Sequence, residues 1–450
     1  MHNPSTIAAI STPIGSGAVG IVRLSGREAL PIAARVFRPY DCDVCLSQLS
    51  GYRGVLGRVY DGEAPLDEVV AFIYRAPRSY TGEDVVELCC HGGTWAVRQV
   101  LRLCIDAGAH MAQPGEFTRR AFLAGKMDLS QAEAVADLVS AQGEGAMRAA
   151  LAGREGALSQ TIGEITGEIT TRCGHIAAWC DYPEEDIDCV DTCELERSLG
   201  EIIKKLEELL SGYDKGRMIR EGATIAIVGR ANVGKSTLMN LLMGEERSIV
   251  TDIPGTTRDV VSEKIIMAGV ALNILDTAGI RPTDDLVERE GVARSVRELE
   301  RADLILAVFD ASQPLEEADH QLIARLDGKP VITIENKADL EPLVHMPGAV
   351  SISARTGKGR EALERAILTA LELENMDTSG AIVANERQRH CILKAVQCLR
   401  EAAQALKGGV TLDAVGVCLD SALTHLLTLT GQRASDAVID QVFSRFCVGK

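Results

Sequence analysis

The sequence predicts a multidomain chain that combines α/β and all-α parts. Three observations lead to this prediction: glycine-punctuated β-rich runs near the N-terminus, helical periodicity after residue 120 and again near the C-terminus, and alternating strands and helices between the two helical segments. The 450 residues fit about three domains at roughly 100–200 residues each. Because helical segments flank the central α/β segment, we expect that segment to be inserted into a helical domain. The predicted ranges are 1–118 (α/β), 119–219 and 377–450 (helical), and 220–376 (inserted α/β).

Composition and charge limit the classes of function. With 46% hydrophobic and 25% charged residues the chain is typical of globular proteins. The net charge of −17 argues against a large non-specific nucleic-acid surface, so any RNA contact is expected to be local or supplied by a partner. Apolar runs stay short of about 20 residues, so no membrane span is expected. The start of the chain lacks the basic and apolar parts of a signal peptide, which predicts a cytoplasmic protein with reduced cysteines.

The cysteines do not predict a zinc site. Two close pairs, Cys42 with Cys45 and Cys189 with Cys193, have suitable internal spacing for metal ligands. The pairs lie about 140 residues apart, so neither has a second pair at the usual distance.

The first domain is predicted to contain strands at 6–10, 20–24 and 68–74. Two of its stretches, residues 80–93 and 114–120, are richer in glycine and charge than folding alone requires. His91 stands before two glycines in the first stretch. It could be catalytic, but a turn histidine is the favoured interpretation.

The helical domain is predicted from capping and periodicity. Ser130 and Glu133 form a capping-box pattern that places a helix start at about Gln131. One helical face then follows at Leu151, Leu158, Ile162, Ile165, Ile169, Cys173 and Ile176, before Pro183 interrupts it. An acidic stretch, 181–196, is interpreted as a solvated connector. Further helices are expected at Leu195, Leu199, Ile202, Leu206 and Leu209, ending near Gly212, and after Ser435 with Val438, Ile439, Val442, Phe443 and Phe446 on one face.

Residues 229–237 satisfy G-x-x-x-x-G-K-[ST], the phosphate-binding loop. A β-branched run precedes them and a helix-like run follows, so backbone N–H groups and a helix N-terminus are expected to surround an anion. Lys235 is predicted to reach the β- and γ-phosphates and Ser236 to bind Mg²⁺.

The segment around this loop is predicted to be a doubly wound, Ras-like domain that binds its ligand at the carboxyl ends of the strands. Strands are expected at 224–228, 261–267, 270–275, 303–309 and 331–335, and helices near 235–243, 287–301, 314–326 and 359–374.

The nucleotide is predicted to be GTP. Asn336, Lys337 and Asp339 follow a predicted strand, and a carboxylate there accepts the N1 and exocyclic amino protons of guanine, which adenine does not offer in that arrangement. Ser353, Ala354 and Arg355 are expected to give a backbone N–H to the guanine O6. Asp276 begins D-x-x-G, whose carboxylate can hold the Mg²⁺ shell while the Gly279 N–H senses the γ-phosphate. Thr256 and Thr257 lie in the first switch, and of the two Thr257 is the expected second Mg²⁺ ligand.

One position departs from Ras-like GTPases. Ile280 stands directly after D-x-x-G, where those proteins carry a water-orienting glutamine, and an isoleucine cannot orient water. Catalysis must therefore use another group. Glu288, Glu290 and Asp285 are the candidates that spacing leaves open.

With these motifs in place, the chain resembles the tRNA modification GTPase family MnmE (TrmE) over nearly its whole length. The matching stretches are residues 20–23, 81–87, 114–118, Lys126 before 127–129, and the terminal Cys447-Val448-Gly449-Lys450. One departure is Ala231, where the family usually has proline; we expect this to alter the stiffness of the loop and not its chemistry.

The resemblance implies a folate-binding and dimerising N-terminal domain and a G domain inserted into the helical domain. It implies that the protein acts with the flavoprotein MnmG to add an aminomethyl-type (carboxymethylaminomethyl) group to C5 of the wobble uridine of certain tRNAs. A 5-formyl or methylene tetrahydrofolate would supply the carbon. The implied folate contacts are Arg23, Glu87, Lys126 and Lys450.

The resemblance also implies that G domains dimerise around K⁺, which supplies the charge that an arginine finger supplies elsewhere. The implied K⁺ ligands are Asn232, Thr251, Ile253 and Thr256; the implied catalytic residues are Glu288, which resolves the choice left by spacing, and Cys447, for which packing is an equal alternative. The full set of predicted GTP contacts is Asn232, Val233, Gly234, Lys235, Ser236, Thr237, Thr251, Asp252, Ile253, Pro254, Gly255, Thr256, Thr257, Asp276, Thr277, Ala278, Gly279, Asn336, Lys337, Asp339, Ser353, Ala354 and Arg355.

Two other classes of function stay open at the level of sequence. A regulatory GTPase switch, such as a ribosome-assembly factor, would bind partners without chemistry on RNA and would need no folate site or terminal cysteine. A nucleotide-gated dimeric scaffold is also compatible with the net charge of −17.

Overall fold

The structure is a computed structural model that describes residues 5–182, 188–244, 262–276, 302–326, 328–373 and 380–449. The chain divides into two compact units. The first consists of Met1–Ala136, Thr166–Thr170 and Asp420–Lys450, and the second of Asp137–Ile165 and Thr171–Leu419.

The first unit is built on a seven-stranded sheet with the order β3-β4-β5-β6-β2-β1-β7. Its strands are β1 Ile7–Ile10, β2 Val19–Ser25, β3 Phe37–Pro39, β4 Arg53–Asp61, β5 Ala64–Tyr74, β6 Val85–His91 and β7 His110–Met111. Neighbouring strands are antiparallel except β1 and β7. The three strands predicted from β-rich runs are confirmed, although the third begins four residues earlier than predicted.

Helices cover one face of this sheet. They are α1 Ala29–Val36 and α2 Thr94–Asp106, with a 3₁₀ turn at Leu46–Gln48. Alternate residues of the strands, such as Val22, Leu24 and Leu88, are fully buried against them. The unit also contains α3 Glu116–Leu123, the first part of α4 Leu129–Ser140, and the last helix, α14 Asp436–Phe443. Apolar side chains of these three helices form a core that includes Leu129, Val135 and Phe443.

The helical segments continue with α5 Glu144–Glu155, α6 Ala157–Asp181, α7 Thr192–Ser211 and α8 Tyr213–Glu221. After the α/β segment come α12 Glu386–Lys407 and α13 Leu412–Thr430. The predicted apolar faces are mostly buried, including Ile162, Ile169 and Leu199. The prediction that a helix ends near Gly212 is confirmed, because Gly212 caps α7.

The structure differs from the helical prediction at the start of α4 and at Leu151. The residue that caps α4 is Asp128 and not Ser130: Asp128 and Gln131 exchange side-chain-to-backbone hydrogen bonds of 2.9 Å in each direction, which is a capping box two residues earlier. Ser130 donates instead to the carbonyl of Leu429. Leu151 does not share a helix with Leu158, because Gly156, at φ +96°, ends α5 and begins α6.

The α/β segment forms a sheet whose described strands have the order β13-β12-β11-β8-β10-β9. They are β8 Ala223–Val228, β9 Ser262–Met267, β10 Val270–Asp276, β11 Leu304–Asp310, β12 Val331–Asn336 and β13 Val350–Ser351. All described pairs are parallel except the β9–β10 hairpin. The described helices are α9 Lys235–Met243, α10 Glu317–Leu326 and α11 Arg360–Ala370. The predicted alternation is confirmed here, while the helix predicted at 287–301 lies outside the described residues.

One helix, Leu412–Thr430, is long and apolar enough to pass a length-and-composition test for a membrane span. A core helix of a globular protein passes the same test. Val415, Leu419 and Leu426 on one face of this helix are fully buried inside the protein. A single helix of this kind is weak evidence for a span.

Candidate functional site

The phosphate loop joins β8 to α9 in the centre of the sheet. Gly229 has φ +152°, and a Cβ there would lie 2.3 Å from the Val308 carbonyl oxygen of the neighbouring strand. Gly234 has φ +98° and directly precedes α9. These glycines allow the chain to turn tightly between a central strand and a helix, so that the first N–H groups of α9 face the loop.

Two polar side chains mark the interior and the rim of this loop. The Lys235 ammonium donates to the carbonyl oxygens of Gly229 at 2.9 Å and Arg230 at 2.6 Å, which holds it over the loop. Asn232 is exposed and has φ +65°, a left-handed conformation that asparagine tolerates better than most residues. Ser236 is exposed in the first turn of α9.

Asn336 connects the predicted guanine motif to this loop. Its buried side chain donates to the Val233 carbonyl at 2.8 Å and accepts from the Ala354 N–H at 3.0 Å. One amide therefore fixes the phosphate loop, the end of β12 and the segment at 353–355 relative to one another. The structure brings these three separately predicted motifs together.

A hydrogen bond keeps the Asp339 side chain in its ionised form. Ser353 donates its hydroxyl to Asp339 at 2.6 Å, and this hydrogen bond lowers the pKa of Asp339 below the ordinary 3.8. Asp339 is exposed, so its other lone pairs can accept hydrogen bonds from a ligand. Lys337, at φ +67°, is held by an ion pair of 2.6 Å with the buried Asp310.

Several predicted residues lie outside the described part of the chain. They are Thr251, Asp252, Ile253, Pro254, Gly255, Thr256, Thr257, Thr277, Ala278, Gly279, Ile280, Asp285, Glu288, Glu290 and Lys450. The backbone of Asp276 is described: it ends β10 in register with Ile227 of β8, at the edge of the sheet from which the phosphate loop leaves.

A second cluster of predicted residues lies on the seven-stranded sheet. Arg23 of β2 and Glu87 of β6 are direct cross-strand partners, with 2.8 Å between Nε and Oε1. The guanidinium also lies over the rings of Tyr80 and Phe117, at 5.9 Å and 5.6 Å from the centroids. It donates to the Gly449 carbonyl at 3.4 Å, which brings the C-terminal tetrapeptide to the same place.

The remaining predicted residues of this cluster are placed separately. Lys126 donates to the Pro77 carbonyl at 2.8 Å, and its stem lies 3.9 Å from the position of a Cβ on Gly82. Cys447 is exposed, and its carbonyl accepts the Gly115 N–H at 3.4 Å. Among the described residues, neither side chain forms a hydrogen bond or ion pair with Arg23.

Sequence reasoning missed the aromatic rings that flank Arg23 and the charge network beside it. Arg120, largely buried, pairs with Glu83 at 3.1 Å and Glu116 at 2.8 Å. Ser25 donates to Glu83 at 2.7 Å. This network joins the two stretches whose charge and glycine content stood out, and their unusual composition was the available signal.

His91 ends β6 and pairs with Asp67, with 2.6 Å between Nδ1 and Oδ1. The hydrogen bond to Asp67 raises the pKa of His91 above its ordinary value. Asp67 also accepts the backbone N–H of His91 at 2.8 Å. These contacts fix the end of β6 relative to Asp67 on β5. The interpretation of His91 as a turn histidine stays a prediction.

Comparison with known proteins decides the family. Residues 6–126 match the model of the GTP-binding protein TrmE N-terminus, and residues 129–447 match the model of the MnmE helical domain. The chain is 43% identical to the tRNA modification GTPase MnmE of Symbiobacterium thermophilum, covering 99% of both chains. It is 41% identical to that of Geobacter sulfurreducens, covering 100% of both. This chain belongs to the MnmE family.

Membership in the MnmE family confirms the predicted resemblance, the multidomain fold class and the assignment to a GTP-hydrolysing enzyme. Among solved structures, the FeoB G-domain of Methanococcus jannaschii covers 33% of this chain and 98% of its own at 25% identity, with a TM-score of 0.25. The family assignment rests on the full-length relatives. The domain bounds and the individual site residues stay predictions.

Proposed function

We propose that this protein binds and hydrolyses GTP and uses that cycle in the modification of tRNA. The observation that carries the proposal is the Asn336 amide, which joins the phosphate loop to residues 353–355 in a chain of the MnmE family. A side chain in this position sets the distance between a phosphate site and a base site, and Asp339 supplies the carboxylate that guanine requires.

In this proposal Mg²⁺ is held by Ser236 and Thr257, and the phosphates by the loop backbone and Lys235. Ser236 is exposed in the first turn of α9, so its hydroxyl would be available as an oxygen ligand for a metal bound beside the phosphates. The metal would neutralise charge that develops on the transferred phosphoryl group.

The proposed K⁺ site consists of Asn232, Thr251, Ile253 and Thr256. Support comes from Asn232, whose left-handed backbone places an exposed amide at the rim of the phosphate loop. Since Ile280 cannot orient water, the proposal assigns that task to Glu288 and assigns the compensation of charge to the cation.

The proposed folate site consists of Arg23, Glu87, Lys126 and Lys450. A pterin ring carries N–H donors that suit a carboxylate such as Glu87, and the rings of Tyr80 and Phe117 beside Arg23 offer flat apolar surfaces. A tetrahydrofolate bound there would supply a one-carbon unit. Cys447, which is exposed and lies two residues before Gly449, is the proposed catalytic thiol.

The proposed reaction adds a carboxymethylaminomethyl group to C5 of the wobble uridine together with the flavoprotein MnmG. The net charge of −17 disfavours broad contact between this chain and tRNA, which supports a partner that supplies part of that contact. We place this activity in the cytoplasm.

A homodimer is part of the proposal. The face of the seven-stranded sheet opposite α1 and α2 leaves Val19, Leu56 and Phe72 exposed by 57%, 51% and 40%. Apolar side chains that are exposed on one face of a sheet favour burial against another surface. Arg23 and Glu87 lie on this same face, so a second copy would cover the proposed folate site.

Nucleoside analysis of tRNA from cells with and without the protein tests the proposal. We expect the modified wobble uridine to disappear in the deletion strain and to return with the wild-type gene. Unchanged tRNA would contradict the modification activity and favour a regulatory GTPase switch.

GTP hydrolysis should also be strongly faster in K⁺ than in Na⁺, and equal rates would contradict the cation-assisted mechanism.

A further inference from the structure

Two buried carboxylates, one at each end of the connection between β11 and α10, belong to none of the predicted nucleotide motifs. Asp310 ends β11 with 5% of its surface exposed, and Asp319, in the first turn of α10, has 1% exposed. Buried carboxylates need cationic or N–H partners, because desolvation otherwise costs several kcal/mol. The partners of these two come from different sides of the nucleotide site.

Asp319 holds the phosphate loop. Both of its carboxylate oxygens contact Arg230 Nε, at 2.8 Å and 2.9 Å, and one of them also accepts the Glu316 N–H at 2.9 Å. Glu316 pairs with the same guanidinium from the solvent side. The backbone carbonyl of Arg230 is one of the two that hold the Lys235 ammonium. The side chain of Arg230 therefore links the phosphate loop to α10. The backbone carbonyl of the same residue holds the Lys235 ammonium.

Asp310 holds the guanine motif. It accepts from Lys337 Nζ at 2.6 Å and from the Ser312 hydroxyl and N–H at 2.6 Å and 3.0 Å. Burial opposes ionisation of Asp310, but these hydrogen bonds outweigh it and keep the pKa of the carboxyl below its ordinary value. Lys337 needs such support because its backbone is in the left-handed region, at φ +67°.

Backbone hydrogen bonds extend this support on the guanine side. The Ala311 N–H donates to the Asn336 carbonyl at 3.0 Å, and the Ala311 carbonyl accepts the N–H groups of Leu343 and Val344 at 2.7 Å and 3.3 Å. One short connection therefore fixes the end of β12 and the segment that follows Asp339.

We propose that the β11–α10 connection sets the geometry of the nucleotide site from outside it, with Asp319 as the positioning residue for the phosphate loop through Arg230 and Asp310 as the positioning residue for guanine recognition through Lys337. The inference rests on the proposed GTP site. It predicts that the two carboxylates have separable effects, one on every nucleotide and one on discrimination between bases.

The test measures dissociation of fluorescently labelled GDP and IDP from the full-length protein. IDP lacks the exocyclic amino group from which Asp339 would accept a hydrogen bond. The ratio of the GDP and IDP dissociation rates therefore reports on recognition of the base. Asp319→Asn should accelerate the dissociation of both nucleotides about tenfold, which is the effect expected when one hydrogen bond between charged groups is lost. The ratio of the two dissociation rates should not change. Asp310→Asn should reduce the preference for GDP over IDP several-fold.

Glu317→Gln is the matched control, because it removes a carboxylate from the same helix whose only described partner is an exposed glutamine at 3.4 Å. It should leave both rates and the ratio unchanged. The double variant Arg230→Gln/Asp319→Asn should dissociate nucleotide no faster than Arg230→Gln alone, because Asp319 acts on the loop through Arg230. If Asp319→Asn does not fold, Arg230→Gln carries the same expectation from the side of the loop.

A purely structural role would lower the unfolding temperature of both variants and change GDP and IDP in parallel in both. That result would overturn this inference and leave the proposed GTP site standing. Unchanged dissociation rates in both variants, with a wild type that binds GDP, would do the same. Failure of the wild type to bind labelled GDP would overturn the proposed GTP site and this inference with it.

Discussion

The two candidate sites of this protein are built in different ways. The nucleotide site is assembled from short contiguous motifs at strand ends, and much of it consists of backbone groups around Gly229 and Gly234. The site around Arg23 is assembled from single side chains: Glu87 is 64 residues away in sequence and Gly449 is 426 residues away. A motif-based site can be recognised in the sequence, whereas a site made of dispersed side chains becomes visible only when the sheet forms.

The comparison predicts that the two sites fail independently, and Lys235→Ala is the strongest test. Without the ammonium, GTP hydrolysis should fall by about a hundredfold or more, because the group would stabilise charge on the transferred phosphate. Binding of 5-formyltetrahydrofolate should not change. Hydrolysis assays and folate titration measure the two activities, with the exposed Lys204→Ala as a control. Loss of folate binding in Lys235→Ala would contradict the separation of the sites.

Arg23→Ala is the reciprocal test. Folate binding should weaken about tenfold or more, because the guanidinium orders Glu87 and lies over two aromatic rings. GTP hydrolysis should stay within about twofold of wild type. Arg102→Ala removes an exposed arginine of the same unit and should change neither property. Unchanged folate affinity in Arg23→Ala would show that the site lies elsewhere.

Gly449→Ala sharpens the comparison at the C-terminus. A Cβ would lie 2.2 Å from the Ile10 carbonyl oxygen, so the terminal segment must shift, which disturbs the hydrogen bond between Arg23 and the Gly449 carbonyl. We expect folate affinity to fall several-fold in titration, with normal GTP hydrolysis. Gly108→Ala is the control, because Gly108 also has a positive φ but a Cβ there would lie 3.8 Å from its nearest neighbour, an Arg35 nitrogen. It therefore measures the effect of backbone strain without a clash. Equal effects of the two variants would contradict a role for the terminal contact.

The smallest expected effect concerns pH. The Ser353 hydrogen bond keeps the pKa of Asp339 below its ordinary value, so the carboxylate needed for guanine stays ionised until the pH falls well into the acidic range. In Ser353→Ala that pKa should rise, and GDP affinity should begin to fall at a higher pH as the solution is acidified. Titrations of GDP at decreasing pH measure the midpoint, with Ser351→Ala as a control. An unchanged midpoint would contradict this role of Ser353.

The fold was largely predictable where local chemistry decided it. The alternation of strands and helices around the phosphate loop, the helix end at Gly212 and the buried faces of α6 and α7 follow from periodicity and from glycine. The capping of α4 was not predicted correctly, because Ser130 and Glu133 also fit the capping pattern. Ser130 instead meets the Leu429 carbonyl, about 300 residues away along the chain, and local sequence does not contain that contact.

By itself the sequence determined the class of nucleotide site and the family, because the phosphate loop and the guanine motif act through fixed local spacing. The tertiary structure decided what holds those motifs in place. Asn336 joins the loop to residues 353–355, and Asp310 and Asp319 support the two halves from a connection that has no motif of its own. It also decided that Arg23, Glu87 and Gly449 meet. Such contacts depend on strand order and on the burial of charge, which bring together residues that are far apart in the chain.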